Sequence, residues 1–70
     1  MKYYAVYDLN DNYVTMFWNY KELSKWFKKS INSMRSSVYR FKNCEIDSIR
    51  SNDDNCNYKI YQYREDDPND

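Results

Sequence analysis

The chain has 70 residues, no Gly, no His, and a formal net charge of zero from 11 Lys and Arg against 11 Asp and Glu. That length allows one small domain, and the missing residue types exclude glycine-built phosphate loops, the usual general base and the commonest zinc ligand. No run approaches the roughly 18 apolar residues of a membrane span and no leader pattern opens the chain, so a cytoplasmic protein is expected.

Small domains bury a modest share of their unfolded surface, about 60% at this size, so the core must be dense. Nine Tyr, three Phe and two Trp supply that density, since each ring buries roughly 150–250 Å². Lys2 to Tyr7 alternates, with Tyr3, Ala5 and Tyr7 on one side and Tyr4 and Val6 on the other, which predicts a strand. Asp8-Leu9-Asn10-Asp11-Asn12 is a turn in which Asn and Asp take left-handed conformations usually left to Gly. Tyr13 to Trp18 returns as a second strand, completing a hairpin over 2–18.

Asn19 then opens a helix as its N-cap, with Glu22 at the capping-box spacing and Trp18 placed to pack on Leu23 as a hydrophobic staple. Tyr20, Leu23, Trp26 and Phe27 share one helical face. The period resets at Ser30, a second cap. Ile31, Met34, Val38 and Phe41 then mark the apolar side of a second helix, over 31–42. Asn43 to Asn57 shows no period: Ile46 and Ile49 are candidates for the core, and Ser51-Asn52-Asp53-Asp54-Asn55 reads as a polar turn or mobile loop. Tyr58 to Tyr63 alternates again as a third strand that joins the hairpin. Residues 1–63 therefore read as a single compact α+β domain of order ββααβ, an antiparallel sheet with a helical hairpin packed on one face. Residues 64–70 read as an acidic, disordered tail.

Charge is segregated along this framework. Residues 20–42 hold seven Lys and Arg against Glu22 alone, a net of +6, whereas residues 43–70 hold eight Asp and Glu against three Lys and Arg, a net of −5. Such asymmetry points to a partner that presents charge.

The segment Glu22-Leu23-Ser24-Lys25-Trp26-Phe27-Lys28-Lys29-Ser30 followed by Ile31-Asn32-Ser33-Met34-Arg35-Ser36-Ser37-Val38-Tyr39-Arg40 resembles a helix-turn-helix. The resemblance implies that Asn32, Ser33, Arg35 and Ser36 meet bases while Lys25, Lys28, Lys29 and Arg40 sit at phosphates. More widely, Tyr4-Ala5-Val6-Tyr7-Asp8, Asn10-Asp11-Asn12-Tyr13-Val14, Phe17, Lys21-Glu22-Leu23-Ser24 and Tyr58-Lys59-Ile60-Tyr61 are similar to two groups. One is the modular DNA-binding domains that accompany homing-type nucleases, from which this chain departs in lacking a glycine after the second helix. The other is the small phage-encoded proteins of anti-CRISPR or anti-defence type. The second likeness implies inhibition of a host effector in the bacterial cytosol.

The remaining features are read from residue type. Asp53, Asp54, Glu65, Asp66 and Asp67 form an acidic patch, either a solubilising surface or a phosphate mimic. About half of the tyrosines are needed inside, leaving Tyr39, Tyr61 and Tyr63 as the expected exposed contacts. Cys44 and Cys56 have no CxxC spacing, so two free, partly buried thiols are expected, with a zinc site completed by Asp53 or Asp54 as the alternative. No catalytic constellation and no cofactor motif is present in the sequence. Two functions fit these residues. One is a non-enzymatic inhibitor that binds a host nucleic-acid-processing effector, a CRISPR-associated nuclease being the most concrete case. The other is a DNA-binding module or small regulator using residues 20–42, with weak binding of nucleic acid. The acidic half favours the first, because phosphate neutralisation dominates DNA affinity.

Overall fold

The computed structural model describes residues 2–64, in the order β1 (Lys2–Tyr7), β2 (Tyr13–Phe17), α1 (Tyr20–Phe27), α2 (Ile31–Lys42), β3 (Ile49–Arg50) and β4 (Asn57–Arg64). The expected α+β order is present with one addition, the two-residue β3, which no alternation announced. The single sheet runs β2-β1-β4-β3 with every neighbouring pair antiparallel. β4 therefore returns to the centre, pairing with β1 without interruption from Lys2↔Arg64 to Tyr7↔Lys59. It reaches one residue beyond the expected 58–63 at each end. The other acidic residues expected in the tail, Glu65, Asp66 and Asp67 among them, lie outside the described residues.

Local chemistry sets the first hairpin and both helix starts. In the turn, Asp8 Oδ1 accepts from the backbone N–H groups of Asn10 and Asn12, each at 2.9 Å, and Asp11 takes φ 65°. At α1, Asn19 Oδ1 accepts from the Glu22 N–H at 2.8 Å, with Asn19 itself extended. Ser30 Oγ does the same for the Ser33 N–H at 3.1 Å, so the corner between the helices falls at Lys28–Ser30. Lys28 closes α1 in the left-handed conformation, φ 56°, where Gly is the usual occupant.

Alternation then decides what is covered. Tyr4 and Val6 of β1 and Ile60 of β4 face the helices and form the core with Leu23, Phe27, Met34, Val38 and Ile49; Phe17, Tyr20, Trp26, Phe41, Ile46 and Tyr58 pack around them. Two expectations are corrected. Trp18 does not staple onto Leu23: its ring lies 5.4 Å from that of Tyr3, on the sheet side away from the helices. Ile31 is 41% exposed, because the apolar side of α2 centres on Met34 and Val38, nearly a turn further on.

The 51–56 segment is not a detached loop. Ser51 is buried, its N–H donating to the Cys56 carbonyl at 2.8 Å while its own carbonyl accepts from the Asn55 N–H. Asn52 reaches across to the end of α1. Its backbone N–H donates to the Phe27 carbonyl at 2.9 Å and its Nδ2 donates to the Lys28 carbonyl at 3.1 Å. These bonds satisfy carbonyls that the end of a helix leaves open.

Candidate functional site

α2 presents its polar side outward. Asn32, Arg35, Ser36 and Tyr39 stand at spacings of three, four and seven, which is one helical face, opposite the buried Met34 and Val38. All four are exposed, as is Arg40 at the flank, and Tyr39 is the most open of them at 65%. The structure thus collects five of the expected contact residues on one surface. Arg35 is steadied there: its guanidinium carbon lies 5.5 Å from the centre of the Tyr20 ring, a cation–π contact. Tyr20 is in turn packed on Tyr4, and burial, with Tyr4 second, pushes its hydroxyl up to about 12.

The remaining basic residues form a separate group. Lys25 and Lys28 are exposed and Lys29 is half-buried at the corner where α1 ends. Asn52 brings the acidic loop to this same corner, so Asp53 and Asp54 share an end of the molecule with Lys28 and Lys29. Charges far apart in sequence are neighbours in the fold.

Both carboxylates have a fixed backbone around them. The Asp53 N–H donates to Ser51 Oγ at 3.2 Å. Asp54 accepts from the Tyr58 hydroxyl at 2.5 Å and from the Cys56 N–H at 2.9 Å. The Tyr58 bond is the chief reason that Asp54 ionises below the usual carboxylate range, and the same bond pushes Tyr58 up to about 12.

Beside α2 runs a groove of about 560 Å³, bounded by Val38, Phe41, Ile46, Ile60 and Tyr61, with Lys42 and Asp47 as polar walls. It exists because β3 covers β4 only at Asn57 and Tyr58, leaving the next stretch of the strand edge to the end of α2. Nothing in the sequence pattern pointed to it. Tyr39, Tyr61 and Tyr63 are exposed as expected, and Tyr13, Trp18, Val14 and Leu9 join them. Cys44 and Cys56 are both free and fully exposed rather than partly buried. Among the described residues no three or more of Cys, Asp and Glu come together to hold a metal ion. No helix among the described residues is long and apolar enough to cross a membrane.

Comparison with known proteins returned nothing: no family model, no curated protein and no solved structure matches the chain.

Proposed function

We propose that this protein is a non-enzymatic, phage-type binding protein that inhibits a host nucleic-acid-processing effector by stoichiometric contact. The observation that carries this reading is the outward face of α2, where Tyr39 is flanked by Arg35 and Arg40. Tyr and Arg are the residue types that dominate protein interfaces when a partner desolvates them. The adjoining groove offers an apolar seat for a partner side chain, and its position beside Phe41 and Lys42 makes it continuous with α2. The ordered acidic loop adds the second half: Asp53 and Asp54 display two carboxylates from a braced backbone, the arrangement a phosphate mimic needs against a basic nucleic-acid channel.

The test is cleavage by a panel of guide-directed bacterial nucleases titrated with the purified protein. Inhibition is expected to reach completion near one equivalent, and Tyr39→Ala with Arg40→Ala to abolish it. Complete inhibition far below one equivalent would show turnover, and the absence of any inhibition or complex across the panel would refute the reading.

A helix-turn-helix-like DNA-binding module is the second reading, supported by the exposure of Asn32, Arg35 and Ser36 in the first half of α2. Selection from a random duplex library separates the two. The inhibitor reading expects weak, salt-dependent binding without a consensus. A sharp operator, bound at least about a thousandfold tighter than random duplex, would establish the second.

A further inference from the structure

The sheet has a second face that the helices leave open. Since Tyr4, Val6 and Ile60 point into the core, the alternate residues Tyr3, Ala5 and Tyr7 of β1 and Tyr61 and Tyr63 of β4 point away from it. They form two aromatic rows across the strands. In one, the Tyr3 ring lies 5.4 Å from Trp18 on one side and 5.4 Å from Tyr63 on the other. In the other, Tyr7 lies 6.0 Å from Tyr13 and 5.6 Å from Tyr61. Ala5, between the rows, leaves the middle of the platform low, and a hydroxyl hydrogen bond joins Tyr7 to Tyr63 across it. Core demand does not account for these rings: Trp18 is 47% exposed and Tyr63 is 42% exposed.

The first row ends at a pair of cations. Lys2 and Arg64 stand directly opposite one another in the β1–β4 ladder, and both are exposed. Like charges in that position oppose strand pairing, and an anion drawn between them relieves the repulsion. Arg64 also lines a shallow depression with Tyr3, Met16 and Trp18, so positive charge and aromatic surface meet at one place. On β3, exposed Arg50 has the opposite alternation to buried Ile49 and adds a further cation to this side.

We propose that this face binds single-stranded nucleic acid, with bases stacking on Trp18, Tyr3 and Tyr63 and the phosphate backbone passing Lys2 and Arg64. Charge complementarity selects this occupant over a second apolar sheet, which would bury the cation pair without a counter-charge. Single strands fit rather than duplex because stacking requires base faces that a duplex hides, and a flat sheet enters neither groove. Four-stranded sheets that read RNA stack two or three bases on aromatic residues, and one row of three rings supplies that number. The site is distinct from the outward face of α2, on the opposite side of the sheet.

The test is a fluorescence-anisotropy titration of the full chain against a labelled oligo-dT of about twelve nucleotides and the matching duplex, at about 50 and about 200 mM salt. The single strand should bind at least about tenfold tighter than the duplex and weaken as salt rises. Trp18→Ala and Tyr63→Ala should each weaken it at least about fivefold, while Trp18→Phe, which keeps a ring and guards against misfolding, should retain most of the affinity. Lys2→Glu should weaken binding and flatten its salt dependence, whereas neutralising Glu65, Asp66 and Asp67 together should strengthen it. Absence of single-strand binding at low salt would overturn the proposal. So would binding that is lost in Arg35→Ala/Arg40→Ala but kept in Trp18→Ala. A concentration-dependent rise in mass that Trp18→Ala abolishes, without oligonucleotide binding, would make the face a self-association surface instead.

Discussion

Asn52 ties the acidic loop to the end of α1, and replacing it separates two effects. Asn52→Ala removes the Nδ2 donor from the Lys28 carbonyl and leaves the backbone bond to the Phe27 carbonyl in place. One exposed hydrogen bond is worth about 0.5–1.5 kcal/mol net. For a domain of this size, a loss of about 1 kcal/mol lowers Tm by roughly 4–8 °C. Asn52→Asp has nearly the same shape but replaces the donor with a carboxylate facing the negative end of the helix, which adds about 0.3–1 kcal/mol of repulsion. Aspartate should therefore be the worse substitution, although it is the closer match in shape. Thermal unfolding followed by circular dichroism, with and without added salt, measures both. Salt should recover part of the excess loss in Asn52→Asp and little of the loss in Asn52→Ala. If Asn52→Asp were as stable as the parent, the loop would not cap α1 and the placement of Asp53 and Asp54 at the basic corner would fail with it.

Two further predictions concern stability. Lys28 holds φ 56° with a side chain that a left-handed residue carries at a cost of about 1–2 kcal/mol. Lys28→Gly should therefore raise the urea midpoint despite the greater freedom of Gly in the unfolded chain, for a net gain of about 0.5–1 kcal/mol, while Lys25→Gly within α1 should lower it by about 1 kcal/mol; a lower midpoint for Lys28→Gly would contradict the cap. Tyr58 and Tyr20 are both raised from 10.0 to about 12 in the folded chain, Tyr58 chiefly by its bond to Asp54 and Tyr20 chiefly by burial. The unfolded chain thus loses these protons first, so their contribution is complete below pH 10 and is lost as pH rises toward about 12. Denaturation midpoints across that window should fall, and should fall less steeply in Tyr58→Phe; an unchanged slope would show that the Tyr58–Asp54 bond is not made.

Much of the architecture is local enough to be legible in the residues. Alternation over Lys2–Tyr7 and the Asn/Asp turn define a hairpin, and Asn19 and Ser30 each supply a side-chain oxygen to an amide three residues on. Those bonds form within one turn, so spacing alone reveals them. The outward set Asn32, Arg35, Ser36 and Tyr39 was readable for the same reason, being the complement of the apolar positions on one helix. Period could not say which side of the hairpin the helices would cover. Both sides carry aromatic residues, and the choice is made by how Tyr4, Val6 and Ile60 fit against Leu23, Phe27 and Met34. That choice turned Trp18 toward Tyr3 and left the aromatic rows open. β3, the groove beside β4 and the reach of Asn52 to α1 were equally hidden, because each depends on residues far apart in the chain. Asn52 lies 24 positions from the carbonyl it caps. Sequence determined the elements, their caps and the polar face of α2 through short-range hydrogen bonding and period; the tertiary structure alone decided which charges and which rings became neighbours, because only packing fixes contacts that the chain does not make locally.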